Sequence, residues 1–346
     1  MKSPTRTASS AALLALVLGA CQREQAQPPS ATDATPAPAA AAGEPAAQPS
    51  TSPVHPLCPA TPGTAPSGDL TATRIAAADG DGSRGLYEGP VWKGEALYFS
   101  DFTFADGFPS RIRRLTADGR LETAVEASGS NGLALGTDGA LVAATHDRKE
   151  LSRFDLVDGS RMRIVGEFQG QPFNSPNDLA IARDGTIWFT DPDFQRAAGP
   201  GGQDKTRVYR VGTDSNVSVV DESIANPNGI ALSPDERTLY VAGGGEQGVL
   251  RAYDLVDGQP RGQRDLATGV QVPDGLAVDC LGNIYLTEHN RRRVRVLSPQ
   301  GEALATIGVD ANITNAAFGG AQRKTLYLTG AGAVWSIELD VAGLPY

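Results

Sequence analysis

Residues 228–243 read NGIALSPDERTLYVAG. A short apolar run, Ile230-Ala231-Leu232, meets a turn of Pro, Asp and Glu, and a second run from Leu239 to Ala242 follows, which is the signature of a β-hairpin. Five further segments repeat the pattern: EGPVWKGEALYFSD from Glu88, NGLALGTDGALVAAT from Asn131, NDLAIARDGTIWFTD from Asn177, DGLAVDCLGNIYLTE from Asp274 and NAAFGGAQRKTLYLTG from Asn315. Successive openings lie 43, 46, 51, 46 and 41 residues apart. A helical period of 3.6 is not sustained anywhere in this region. Repeats of this length built from short strands mark a β-propeller, in which four-stranded blades surround a channel. Six units predict an all-β chain whose residues 68–346 form one six-bladed β-propeller.

Composition supports that frame and removes one class of partner. Forty Gly against ten Phe agree with many turns and with inner strands that approach closely. A formal charge of −10 and 6% aromatics argue against nucleic acid, which attracts basic surfaces and stacking platforms. The expected partner is a small molecule, and the expected state is a monomer.

The N-terminus speaks to location. Lys2 and Arg6 precede the apolar stretch AALLALVLGA, residues 11–20, which is too short for a permanent membrane helix and reads as a signal peptide over residues 1–20. Leu18-Gly19-Ala20-Cys21 is similar to a bacterial lipobox, with Cys21 the lipidation site; an ordinary secretory signal with a chance cysteine is the alternative. Gln22 would then direct the protein to the outer membrane, facing the periplasm, and the lipid anchor would be its contact with the membrane. Residues 21–67 are rich in Ala, Pro, Gln, Ser and Thr and predict a disordered tether with a reach on the order of 35–40 Å. His55 falls within it and is given no role. In an oxidising compartment Cys58 and Cys280 are either a disulfide or two separate thiols.

The chemistry sits in the openings. If the first run of each unit is the innermost strand, the opening side chains converge at one end of the channel. Glu88 and Asp274 supply charge, and Asn131, Asn177 and Asn228 supply neutral carbonyl oxygens. Hard oxygen donors without Cys or His describe a Ca²⁺ site better than a zinc or copper site, with Mg²⁺ the weaker alternative. Asn-Gly and Asp-Gly are also common turn dipeptides. Turn chemistry, however, is already supplied downstream by Asp138-Gly139, Asp184-Gly185, Pro234-Asp235 and Gly282-Asn283. Asn315, followed by Ala316, is expected to be a turn residue only.

The second strand of each unit should return to the end where the first began. Its last residues would then ring the site: His146 and His289 fall fifteen residues after their openings and Asp191 fourteen after its own. These three are the expected substrate-binding rim, the alternative for each alone being a polar strand end that faces water.

EGPVW with LYFSD, FNSPNDLAI with IWFTDPDF, PNGIALSPDERTLYVA, VPDGLAVD with GNIYLTE, and TNAAFGGAQRKTLYLTG resemble the senescence marker protein/gluconolactonase family, in its bacterial gluconolactonase branch. The resemblance implies a six-bladed propeller with an essential divalent metal on its axis, usually Ca²⁺, with Mg²⁺, Mn²⁺ or Zn²⁺ as other candidates. Carried over motif by motif, it implies Glu88, Asn177, Asn228 and Asp274 as metal ligands and Asn131 as a substrate-side residue. Where the family often has a Cys-Glu-His-Gly run, this chain has Ala144-Thr145-His146-Asp147, which leaves the pocket rim and the substrate open. The expected activity is hydrolysis of a lactone, such as gluconolactone, with Asp274 as base and His289 as second choice. A phosphotriesterase-like hydrolase and a non-catalytic, surface-tethered binding propeller are the competing expectations. Neither a Gly-x-Ser-x-Gly elbow nor a phosphate loop occurs in the sequence.

Overall fold

Each repeat contributes two inner strands, and the segments between repeats supply the outer two. The structure, a computed structural model, describes residues 55–75 and 85–344. The expected signal peptide, Cys21 and the first part of the tether lie outside the described residues.

The first blade pairs Gly85–Lys93, Ala96–Thr103, Ser110–Thr116 and Leu121–Val125 in order. The second pairs Ser130–Leu135, Leu141–Thr145, Glu150–Phe154 and Arg161–Val165, and the third Leu179–Ile181, Ile187–Asp191, Arg207–Val211 and Val217–Asp221. Pro227–Leu232, Thr238–Gly243, Gly248–Val256 and Gln259–Val270 form the fourth. The fifth contains Pro273–Val278, Ile284–Glu288, Arg293–Leu297 and Ala303–Gly308. In the sixth, the C-terminal strands Ile313–Gly319, Thr325–Gly330 and Val334–Glu338 take their outermost partner, Thr73–Arg74, from the start of the described chain. The ring is therefore closed by joining its two ends in one sheet, which removes free inner edges.

The hydrophobic core is a ring rather than a ball. Six apolar clusters lie between neighbouring blades; Tyr87, Phe99 and Val334, for example, join the first blade to the sixth, and Phe173, Phe189 and Tyr209 lie between the second and third. Because both faces of each blade are covered, strands such as Leu141–Thr145 and Ile284–Glu288 are buried along their whole length. This is why their sequences run apolar without a clean two-residue alternation. The arrangement leaves the axis free for polar groups.

The expected tether boundary at residue 67 differs from the structure. Residues 55–67 lie on the propeller: Ala342 N–H donates to Pro62 O, Gly63 bridges Val341, and Cys58 is disulfide-bonded to Cys280 in the fifth blade. His55, expected to be a bystander, is buried there. Beyond it Gly68–Thr71 adds a parallel fifth strand to the fifth blade, Gly68 opposite Ala305. A composition poor in large apolar residues predicts disorder, but this segment gains its order from a covalent link and from backbone pairing with an existing sheet edge.

Candidate functional site

The inner strands start with a fault in the ladder. Register shifts fall between Glu88 and Val91, Ser130 and Leu133, Pro227 and Ile230, Pro273 and Leu276, and Ile313 and Asn315. A bulge of this kind releases backbone from strand pairing and re-aims the side chain, so five opening segments share one device for turning their residues to the axis. Hydroxyls at the ends of the second strands then tie the openings together. Ser100 Oγ donates to Asn131 O at 2.6 Å, Thr190 Oγ1 to Asn228 O at 2.6 Å, and Thr287 Oγ1 to Thr314 O at 2.8 Å.

The openings crowd so closely that the next position has little room for a side chain. A Cβ on Gly275 would lie 1.9 Å from Asn315 Cγ, and one on Gly132 would lie 2.6 Å from both Asn177 O and Asp178 Oδ1. Glycine in NGL and DGL is thus required by what the adjacent blade puts there, which is a different reason from turn geometry.

Glu88, Asn131, Asn177, Asn228 and Asp274 are all buried at this centre, each at most 9% exposed. Two more residues join them. Asp178 accepts the Leu179 N–H at 2.9 Å on Oδ1 and the Asn315 amide at 3.2 Å on Oδ2. Asn315, expected to be a turn residue, is instead an interior polar group beside both Asp178 and Glu88. Both were missed because Asn-Asp and Asn-Ala read as turn or strand sequence. The available signal was that Asp178 stands where four other repeats have Gly.

Three buried carboxylates now share one small volume. Burial, then Asp274 and Asp178, hold the Glu88 carboxyl well above its ordinary value, outweighing the Gly89 N–H and Asn315 amide that favour the anion. Burial pushes Asp178 up to about 7 and also raises Asp274. Such mutual repulsion is what a cation removes. Asn131 Oδ1, also buried, has no hydrogen-bond partner among the described residues. Among those residues no three His, Cys, Asp or Glu side chains form a ligand group by themselves. The donor set instead mixes carboxylates with amide oxygens, a combination suited to hard cations.

Of the three expected rim residues, His289 reaches the centre. Its Nδ1 lies 3.4 Å from Asp274 Oδ2 and 2.8 Å from Ile313 O, and its Nε2 is 3.3 Å from Asn312 Nδ2. Burial lowers its pKa, but Asp274 and the Ile313 carbonyl outweigh this and hold it above the ordinary imidazole value. His146 and Asp191 differ from expectation, because a loop of the first blade covers the end of one strand and the segment 173–176 covers the end of the other. His146 is fully buried, its Nε2 donating to Phe108 O at 2.7 Å and its ring edge-on to Phe102 and Phe108. Burial pushes it below the usual value, so it is neutral.

Asp191 has a supporting position. Its Oδ2 accepts Asn174 N–H at 2.9 Å and its Oδ1 accepts Ser175 N–H at 2.8 Å. On the other side the buried Lys149 ammonium donates to Asn174 O at 2.7 Å, Arg196 O at 2.9 Å and Gly201 O at 3.1 Å. A carboxylate and an ammonium therefore grip opposite edges of the segment that leads through Pro176 to Asn177.

The sequence pattern described as the SMP-30/Gluconolactonase/LRE-like region matches residues 86–332. The chain belongs to this family. The gluconolactonase of Zymomonas mobilis is 27% identical over 290 residues, covering 74% of this chain and 79% of that protein. Pentonolactonase XacC of Haloferax volcanii is 29% identical over 277 residues, covering 76% and 86%. Among solved structures, a gluconolactonase from Xanthomonas campestris superposes with a TM-score of 0.68 at 29% identity, covering 82% of this chain and all of that one (100%). The matched residues of the family take in all six openings, from Glu88 to Asn315.

Proposed function

We propose that the chain is a lactone hydrolase that opens a sugar lactone of the gluconolactone type to its hydroxy acid, with a divalent cation, Ca²⁺ by its donor chemistry, at the axial centre. The observation that carries this reading is the buried group of Glu88, Asp178 and Asp274 among amide oxygens, with His289 beside Asp274. The lactonase relatives support the substrate class. Glu88, Asn177, Asn228 and Asp274 would hold the cation, and Asn131 Oδ1, which lacks a protein partner among the described residues, would face the substrate. When bound, the cation would polarise the ester carbonyl and stabilise the negative charge that develops there.

The protein's own part concerns a water molecule and a proton. Burial holds the Asp274 carboxyl above its ordinary value, which makes its anion a stronger base. It is placed to take the proton of the attacking water. In its protonated form, which Asp274 and the Ile313 carbonyl favour, His289 would stabilise ionised Asp274, and its bond to Ile313 O keeps the ring fixed. Blade walls exclude bulk solvent, which strengthens each of these interactions. The opened ring leaves as a hydroxy carboxylate, and the proton taken by Asp274 is released to solvent.

The test uses protein stripped with chelator and then supplied with Ca²⁺, Mg²⁺, Mn²⁺ or Zn²⁺ and a panel of aldonolactones and acyl lactones. Proton release that needs the metal and disappears in Asp274→Ala is the expected outcome. Tight metal binding with no lactone opened would favour a binding propeller, and release from a phosphotriester alone would reassign the reaction.

We further propose that residues 1–20 are a lipoprotein signal peptide and that Cys21 carries the lipid, so that the propeller works in the cell envelope. Mass spectrometry of the membrane fraction from expressing cells tests this, the expected result being a lipid-modified N-terminal peptide that is lost in Cys21→Ala.

A further inference from the structure

A cavity of about 520 Å³ opens between the first and second blades, and its walls include Asp101, Phe108, Pro109, Arg111, Glu126 and Asp147. All six lie at strand ends or in loops on the face that carries the openings. Gly129 also lines it, and Asn131 is two residues further on, a separation of at most about 7 Å along the chain. The cavity thus opens on the same face as the axial centre, with Gly129 joining it along the chain to Asn131, and its volume is that of a small-molecule site.

Two features mark it as built for a ligand. Asp101 is 2% exposed, and its Oδ2 accepts Arg111 Nε at 2.8 Å and Arg113 Nη1 at 3.3 Å, while Oδ1 has no hydrogen-bond partner among the described residues. A buried carboxylate oxygen left in that state is unfavourable unless something else reaches it. Phe108 has φ 49°, a left-handed conformation that is strained for a bulky residue. Its carbonyl is held by His146 Nε2 at 2.7 Å, which fixes the ring on the cavity wall.

The lining also selects the kind of ligand. Asp101 is paired with Arg111 and Arg113, and Asp147 with Arg161, so with Glu126 the walls carry little net charge and suit a neutral ligand better than an ion. Carboxylates accept hydroxyl protons well, and Phe108 with Pro109 offers an apolar surface for the C–H face of a ring. We infer that the cavity is a subsite for a neutral sugar unit joined to the lactone, making the preferred substrate an aldobionolactone, a lactone that carries a second sugar. This rests on the lactonase reading above. It also gives the buried His146 a function, as the group that holds Phe108 in its strained position.

The experiment compares kcat/KM for glucono-δ-lactone and cellobiono-δ-lactone with the metal-loaded full chain, and measures binding of cellobionate by calorimetry. The two-sugar lactone is expected to be favoured by roughly tenfold or more. Glu126→Ala, at an exposed position that does not threaten folding, and Phe108→Ala should each bring that ratio toward one and weaken cellobionate binding. Equal kcat/KM for both lactones, or a ratio unchanged in both variants, overturns the subsite while leaving the lactonase reading intact. Cellobionate binding that depends on Glu126, in a protein that opens neither lactone, upholds the subsite and overturns the lactonase reading.

Discussion

Burial raises the carboxyls of Glu88, Asp178 and Asp274, and the charge of Asp274 adds to the rise at the other two, so removing one carboxylate changes the group. Glu88→Gln keeps the shape and deletes a charge. The expected outcome is loss of the metal-induced rise in Tm and a fall in kcat/KM of about 10²–10³, read by calorimetry and proton release. Gly275→Ala addresses crowding instead of charge, since the added Cβ would meet Asn315 Cγ at 1.9 Å. Displacement of Asn315 should abolish turnover in a protein whose far-ultraviolet circular dichroism is unchanged. Lys149→Met leaves three carbonyls without their donor, at about 1–3 kcal/mol for each one that stays dry. It should weaken metal binding through Asn177, with partial recovery in Lys149→Arg; unaltered metal affinity in Lys149→Met would show that the grip is structural alone.

At the scale of the element, the sixth blade depends on a strand drawn from far away in sequence. Thr73 pairs with Ser336 and Arg74 with Trp335, and the Arg74 guanidinium lies 5.0 Å from the centre of the Trp335 ring. Asp310 joins them, accepting Trp335 Nε1–H at 2.7 Å and Arg74 Nη2 at 2.9 Å. Trp335 is 1% exposed in the cluster between the fifth and sixth blades. Trp335→Ala is therefore expected to cost about 3–5 kcal/mol in urea unfolding. None of this closure is visible in the repeats, because Gly68–Thr71 and Thr73–Arg74 are short, partly exposed strands with no hairpin partner nearby. Their pairing is decided by the unmatched edges that the rest of the chain leaves open.

The whole molecule separates its staple from its chemistry. Cys280 sits in the turn between the two inner strands of the fifth blade, at the end remote from Asp274. Losing the disulfide in Cys58→Ser should thus lower stability by about 2–4 kcal/mol, and lower Tm, with kcat unchanged. The repeated hairpins were legible because each inner pair is local: apolar run, turn and apolar run lie within sixteen residues of sequence, as in 228–243. That periodicity determined an all-β ring of six blades, and the oxygen-bearing residue at each opening marked where polar groups would converge. The sequence could not decide which polar residues remain at the mouth. His146 and Asp191 occupy strand ends equivalent to that of His289, but Phe108 and the segment 173–176 cover them, and such coverage depends on contacts between loops of different blades. Asp178 and Asn315 became part of the centre for the same reason, as their environment is made by neighbours 137 residues apart in the chain. Hairpin pattern is a property of adjacent residues, whereas burial and charge at the axis belong to six segments at once, and only the closed ring brings those together.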